Sequence, residues 1–197
     1  MKPAPQSVWI ALMLPGLCCN ASVATTVPID PTDSASRPVT FAADASLAIV
    51  AIDCGYGQTG GKELYRLYGD GRAERHTVTT VPGMPPRIDE GRIELDTIQR
   101  IVDRAVAQRV LELTNANLEE RLHQPVYVES RPVLYHIDDE GVCRIEINLL
   151  VDTTPLRKEL TVYALEAMAA RRQDPELGAL RELQRAIDEA ARGRGRE

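Results

Sequence analysis

Large aromatic residues are scarce in this chain of 197 residues. It contains one tryptophan, Trp9, and one phenylalanine, Phe41, beside six tyrosines. Basic residues are also in deficit, since 23 Lys and Arg stand against 29 Asp and Glu and leave a net charge of −6. Such a surface repels phosphate backbones, and no basic cluster with interleaved aromatic residues offsets it. We therefore expect no nucleic-acid partner.

Long apolar runs are confined to the amino terminus. Residues 8–14 follow a basic start at Lys2 and are too few to span a bilayer. Ser22-Val23-Ala24 then places small residues at the −3 and −1 positions of a cleavage site. Residues 1–24 are thus typical of a secretory signal peptide. The sequence predicts an exported protein, periplasmic or extracellular, with no transmembrane segment after cleavage.

The four cysteines fall into two groups, one in the predicted signal peptide and one in the predicted mature chain. Cys18 and Cys19 lie in the signal peptide, but neither follows the Gly or Ala of a lipoprotein cleavage site, so simple cleavage is favoured over lipidation. Cys54 and Cys143 remain in the mature chain. An oxidising compartment would allow them to form a disulfide. Two buried thiols on separate strands are the alternative, and the sequence leaves both open.

One domain of ordinary size follows the signal peptide. Residues 25–46 are rich in Thr, Pro, Ser, Asp and Ala and predict a flexible spacer. Residues 47–191 contain the strand and helix patterns of a single domain. Residues 192–197 predict a disordered tail.

Within the domain, two hairpins and two helices stand out. Gly69-Asp70-Gly71 between strand-like runs predicts one hairpin, and residues 133–137 with 142–151 predict another. Asp96, followed three residues later by Gln99, predicts the start of an amphipathic helix, and Asp174-Pro175 predicts the start of a second. This order predicts an α+β fold with a mainly antiparallel sheet and both helices on one face.

Catalytic, nucleotide-binding and metal-binding motifs are either absent from the sequence or lie in surroundings that do not support such a site. Residues 55–60 match G-x-G-x-x-G, but residues 62–68 after them have a strand pattern rather than the helix of a dinucleotide fold. No G-x-S-x-G is present. An acidic group with one histidine could hold a divalent cation but is more typical of a solvated hairpin tip; it consists of His136, Asp138, Asp139 and Glu140. No catalytic, cofactor or metal residue is assigned, and a non-enzymatic protein is favoured.

A proline-rich loop is the candidate binding element. Residues 81–87 carry Met84 next to Pro85 and Pro86, and proline lowers the entropy that a loop loses on binding. An ordinary connection made rigid for stability is the alternative interpretation.

Residues around the first hairpin also carry a family resemblance. Cys54-Gly55, a short gap and Glu63-Leu-Tyr-Arg-Leu-Tyr-Gly-Asp-Gly-Arg72 resemble an uncharacterised family of exported bacterial proteins. That family has a Cys-containing strand, a Y-G-D-G hairpin, a long helix, further strands and a closing helix. Its C-P-x-Y motif is absent here, and the resemblance implies no activity and no functional residue.

The predicted function is therefore broad. The first expectation is an exported, non-enzymatic protein that binds an unknown protein partner in the cell envelope. The order of elements is also similar to small bacterial proteinaceous inhibitors of thermolysin-like metalloproteases, which makes a protease inhibitor the first alternative. A metal-binding protein or hydrolase using the acidic cluster is the second.

Overall fold

A seven-stranded sheet, antiparallel in every pairing, is the frame of the molecule. The computed structural model describes residues 38–56, 61–79, 81, 83–124, 126–128, 131–133, 141–172 and 174–193. With its helices, the sheet confirms the predicted α+β class. The predicted signal peptide and residues 25–37 of the predicted spacer lie outside the described residues.

In the described residues, five strands come first along the chain, followed by two helices, four further strands and two closing helices. The strands are β1 (Val39–Thr40), β2 (Ala48–Gly55), β3 (Lys62–Tyr68), β4 (Arg72–Val78), β5 (Arg87–Arg92), β6 (Val126–Val128), β7 (Arg131–Val133), β8 (Val142–Val151) and β9 (Thr154–Tyr163). The helices are α1 (Leu95–Ala107), α2 (Asn115–His123), α3 (Leu165–Arg172) and α4 (Pro175–Ala191), with a 3-10 turn at Val110–Glu112. β6 and β7 pair only with each other in the described residues.

Strand β8 is the hub of the large sheet. It pairs with β9 over its full length, so one of its edges is filled. Its other edge pairs with β2 over residues 142–147 and with β1 at residues 150–151. The order across the sheet is therefore β9, β8, β2, β3, β4 and β5, with β1 in line with β2.

The two faces of the sheet differ because directly opposed residues share a face. One inner row runs Leu160, Ile145, Ile52, Tyr65, Arg75, Asp89 from β9 to β5. Its first four members are buried apolar side chains, and its last two are charged. The neighbouring outer row runs Glu159, Glu146, Ala51, Arg66, Glu74, Glu90. The core thus lies on the first face and turns polar towards β5.

All four described helices contribute side chains to the core. Ile98 and Val102 of α1 and Leu183 of α4 meet Val50 and Ile147 of the sheet around one small apolar space. Helix α4 also lies close against β5, since a Cβ at Gly91 would stand 1.9 Å from the carbonyl oxygen of Ala190. None of the helices in the described part of the chain has the length and apolar character that crossing a bilayer requires.

Helix starts were predicted with mixed success. Asp174 caps α4 as predicted, because the Leu177 amide donates to its Oδ1 at 3.3 Å and Pro175 is the first helical residue. Helix α1 instead begins one residue before Asp96, and its N-cap side chain forms no capping hydrogen bond with the first turn of the helix. Gln99, expected in the capping box, donates its side-chain amide to the Val39 carbonyl oxygen at 2.9 Å. A tertiary contact has taken the side chain that the local rule assigned to the cap.

The connection after α1 contains helix α2 (Asn115–His123). Thr114 and Asn117 form a reciprocal capping box at the start of α2, with Thr114 accepting from the Asn117 amide at 3.2 Å.

The first predicted hairpin is confirmed, and the second has a different partner. β3 and β4 are joined at Gly69–Gly71, whereas β8 forms its hairpin with β9. The turn consists of Asp152 and Thr153, both with positive φ (+49° and +72°), as a type I′ turn requires. Pro155 lies within β9, an edge strand in the described residues, where proline need not donate to the ladder. Residues 134–137 of the predicted partner lie outside the described residues.

The ordered sheet starts before residue 47. Val39 and Thr40, within the predicted spacer, pair with Val151 and Leu150 of β8. Val39 is buried and belongs to the hydrophobic core. A composition rich in Thr, Pro, Ser, Asp and Ala had predicted a spacer, but tertiary pairing supplies the partner that the local pattern lacks.

A disulfide joins the two central strands. Cys54 and Cys143 oppose each other in the β2–β8 pairing, with Cα atoms 4.0 Å apart and their sulfur atoms bonded. Both are buried. Of the two alternatives that the sequence leaves open, the disulfide is therefore correct. It links residues 89 positions apart, which corresponds to about 4–5 kcal/mol of stabilisation in the chain-entropy model.

Replacing both cysteines with alanine is expected to lower the free energy of unfolding by about 3–5 kcal/mol, because the unfolded chain is no longer cross-linked. Guanidinium denaturation followed by far-ultraviolet circular dichroism measures this loss. Wild-type protein denatured in the presence of a reductant serves as the control and should approach the double variant. A loss below about 1 kcal/mol would contradict the stabilising role.

Candidate functional site

The loop between β4 and β5 places large apolar side chains in solvent. Met84 is 59 % exposed and Val81 is 57 % exposed. Ile88, the second residue of β5, is 52 % exposed and continues the same surface. Pro85 and Pro86 between them are exposed as well. We call Val81, Met84, Pro85, Pro86 and Ile88 the apolar loop surface.

The backbone of this loop is held in a defined shape. The Met84 amide donates to the Val81 carbonyl oxygen at 3.2 Å, which closes a turn. Gly83 has a φ of +82°, the value that the third residue of a type II turn needs and that glycine adopts without strain. Pro85 and Pro86 have fixed φ angles and no amide donors, so β5 cannot extend into the loop. The sequence-predicted loop residues are therefore exposed on a pre-organised backbone.

The disulfide lies on the strand row that ends at this loop. Val162, Cys143, Cys54, Glu63, Thr77 and Arg87 oppose one another in sequence across the sheet. With strands spaced about 4.8 Å apart, Cys54 and Arg87 are separated by about 14 Å. The cysteines are bonded and buried, so neither offers a thiolate for nucleophilic chemistry. The disulfide instead links β2 to β8 in the sheet that carries the loop.

A charged network under α4 anchors the strands next to the loop, and sequence reasoning missed it. The Arg75 guanidinium contacts three carboxylates: Glu63, Asp188 (Nε to Oδ1, 3.0 Å) and Asp89 (Nη1 to Oδ2, 3.7 Å). Arg87 pairs with Asp89 and Arg192 pairs with Asp188, both at 2.9 Å. Three positive and three negative side chains therefore join β3, β4, β5 and α4.

Glu63 is the most constrained member of this network. It lies beside Cys54 in the β2–β3 register, and its Oε2 accepts hydrogen bonds from Tyr65 (2.6 Å) and Tyr56 (3.0 Å). Burial acts to raise the pKa of Glu63, but the hydrogen bonds from Tyr65, Arg75 and Tyr56 outweigh it and leave the pKa below its ordinary value. Burial and the same carboxylate raise the pKa of Tyr65 to about 12. The network is thus arranged to keep Glu63 ionised.

A signal for this network was present in the strand alternation. Glu63, Tyr65 and Leu67 are spaced two residues apart and therefore share one strand face. A carboxylate in phase with buried apolar residues indicates a buried ion pair or hydrogen-bonded acceptor. Its partners could not be named from the sequence, because the register of β3 with β4 and the position of α4 decide them.

Candidate metal ligands receive no support from the described residues. Among them, no group of three or more His, Cys, Asp or Glu side chains could hold a metal ion. His76 Nε2 lies 3.0 Å from Glu74 Oε2, where Tyr68 and Arg72 also bind that buried carboxylate. The predicted cluster lies outside the described residues; its members are His136, Asp138, Asp139 and Glu140.

The G-x-G-x-x-G match has the context of a hairpin. β2 ends at Gly55 and β3 begins at Lys62 as its antiparallel neighbour, so the next element is a strand. Residues 57–60 lie outside the described residues. The Tyr56 amide donates to the Gly61 carbonyl oxygen at 3.3 Å and closes the base of the connection.

Comparison with known proteins adds no relative. No protein-family model matches this chain, and no curated protein matches it either. The resemblance to exported bacterial proteins therefore stays a prediction.

Replacing Glu63 with glutamine is expected to lower the free energy of unfolding by about 1–3 kcal/mol at pH 7, since a charge-assisted acceptor is lost. The pKa of Glu63 is lower in the folded protein than its ordinary value of 4.5. Its contribution is therefore complete above pH 4.5 and is lost as the pH falls through the folded pKa. Urea denaturation at a series of pH values measures the difference.

The matched control for this pH series is Glu189→Gln, because the Glu189 side chain is 57 % exposed. That variant should follow wild type at every pH. A difference between wild type and Glu63→Gln that persists undiminished at pH 2–3 would show that the carboxylate charge is not the cause.

Proposed function

We propose that this protein is exported and acts by binding another protein, without catalysis, in the cell envelope or outside the cell. The observation that carries the proposal is the exposure of Met84, 59 %, on a backbone held by a closed turn and two prolines. A solvent-exposed apolar side chain gains roughly 1.5–3 kcal/mol when a partner buries it. A pre-organised loop loses little entropy in that step.

Two observations support export. The amino-terminal pattern through Ala24 is that of a cleaved signal peptide. The Cys54–Cys143 disulfide is of the kind that oxidising compartments maintain and the cytosol keeps reduced. The amino-terminal pattern favours a mature chain that begins near Thr25.

A protease inhibitor is the second candidate, and the form of the loop favours it. Met84 is exposed between the turn residue Gly83 and Pro85, and β5 begins three residues later at Arg87. A stiff, exposed segment of this kind can occupy a protease cleft without first being ordered. The metal-binding or hydrolase alternative has no such observation in the described residues.

Export predicts the mass of the purified mature protein. Expression with the native amino terminus should yield a chain that lacks residues 1–24. Its mass, measured by intact mass spectrometry, should also be lower by the two hydrogen atoms that are lost when one disulfide forms. An added lipid mass would place the protein among lipoproteins anchored through Cys18 or Cys19. Retention of Met1 would contradict export.

Replacing Met84 with aspartate is expected to weaken partner capture about 10–100-fold, because burial of the apolar side chain is replaced by burial of a charge. The immobilised mature protein is incubated with envelope extract, and the proteins recovered specifically by wild type are titrated against both forms. Leu47→Asp is the matched control, since Leu47 is 44 % exposed and lies in front of β2, away from the loop.

Equal capture by wild type and Met84→Asp would remove the loop from the binding surface. If the recovered partner is a protease, its activity is assayed with each form. Inhibition by wild type and Leu47→Asp, but not by Met84→Asp, would select the inhibitor over the general binding function.

A further inference from the structure

The two edge strands of the sheet, β9 and β5, differ in what covers their outer backbone edge. At the β9 edge, the Thr161 amide points away from β8 and donates to Asn115 Oδ1 of α2 at 2.8 Å. The side chain of Lys158 also reaches the Leu111 carbonyl oxygen in the 3-10 turn. Helix α2 and that turn thus cover one edge. At the other edge, β5 pairs with β4 and with no further strand in the described residues.

The free edge of β5 offers backbone groups to another strand. Alternate residues of Arg87–Arg92 direct their amides and carbonyls away from β4, as on any edge strand. Helix α4 lies over the inner face at Gly91, whereas Ile88, Glu90 and Arg92 point to the outer face. An added strand would meet those three side chains.

A second copy of this chain is a poor occupant of that edge. Directly opposed residues share a face, so antiparallel self-pairing centred on β5 sets either Asp89 or Glu90 against the same residue of the other copy. Like charges directly opposite each other destabilise a strand pair. Ile88 would then face the charged side chain of Glu90 or Arg92.

We propose that the β5 edge binds an extended segment of a partner protein as an added antiparallel strand. This inference rests on the proposed binding function and specifies its mode. On the outer face, β5 carries the apolar Ile88, the acidic Glu90 and the basic Arg92. Charge complementarity therefore assigns the antiparallel partner strand an acidic residue opposite Arg92, a basic residue opposite Glu90 and an apolar residue opposite Ile88. From the amino end of the partner, these residues follow one another at alternate positions.

The same geometry connects the edge to the apolar loop surface. Because the added strand runs antiparallel to β5, its carboxyl end continues past Ile88 alongside Pro86, Pro85 and Met84. Pro85 and Pro86 lack amide donors, so recognition there depends on apolar contact rather than backbone pairing. A partner segment would thus be aligned by β5 and buried at its end by Met84.

The test uses two labelled synthetic peptides of identical composition. The matched peptide is Thr-Glu-Thr-Lys-Thr-Val, and the swapped peptide is Thr-Lys-Thr-Glu-Thr-Val. Fluorescence anisotropy with the mature, oxidised protein should show the matched peptide binding about threefold to tenfold more tightly, since two cross-strand charge pairs change sign. Hydrogen exchange should show protection of β5 amides when the matched peptide is bound.

The decisive variant is Glu90→Lys combined with Arg92→Glu. It leaves the net charge unchanged, and Arg92 is 71 % exposed, so the fold is expected to persist. Strand addition requires that this variant prefer the swapped peptide by a similar factor. Absence of binding, equal binding of both peptides, or an unreversed preference would each overturn the proposal.

Two further measurements separate this inference from the proposed function. Met84→Asp should leave the peptide preference intact, because the short peptide ends opposite Ile88. Failure with the peptides, together with weaker partner capture by Met84→Asp, would overturn strand addition alone. A dimer in sedimentation whose β5 amides are protected without peptide would identify a second copy as the occupant and overturn the proposal.

Discussion

The register between β2 and β8 is the constraint on which the rest of the fold depends. These strands come from distant parts of the sequence, and their direct Cys54–Cys143 opposition holds them in one register by a covalent bond. A slip of one residue would send every inner side chain to the opposite face. Because each further strand is registered on this pair, the same bond fixes which residues face the core as far away as β5.

The inner face of the sheet differs in composition between its two halves. On the β9 and β8 side the inner face is aliphatic and is buried under helices. Towards β5 the inner face becomes charged, and Arg75 joins carboxylates from three different elements. A partly buried arginine of this kind gains little net stability from its ion pairs, since its desolvation offsets much of the attraction. It directs α4 onto β4 and β5 and so supports the strand that carries the exposed loop.

The distribution of exposed apolar residues follows from this arrangement. The loop before β5 has few neighbours to cover it, because α4 covers only the inner face of that strand. Prolines stop the strand from extending, and the charges of β5 oppose pairing with its own copy. The result is a surface on which Val81, Met84 and Ile88 are exposed to solvent.

Local patterns predicted the elements whose cause is local. The Gly69–Gly71 hairpin and the Asp174 cap depend on residues that are neighbours in sequence, and both were predicted correctly. The loop of Met84, Pro85 and Pro86 was likewise visible, because proline excludes a central strand whatever surrounds it. The error at Gln99 has a tertiary cause. The distant strand β1 supplied a hydrogen-bond acceptor that no local rule contains.

The sequence by itself determined the α+β class and the exposed character of the proline loop, and it left two alternatives open for Cys54 and Cys143. Those properties depend on side-chain periodicity, backbone restriction and residue type, which are all encoded locally. Only the tertiary structure decided that the cysteines are opposed, that Glu63 meets Arg75 and Tyr65, and that β5 has a free edge. Each of these is a matter of register and strand order, and register is set by pairing between segments that the sequence separates.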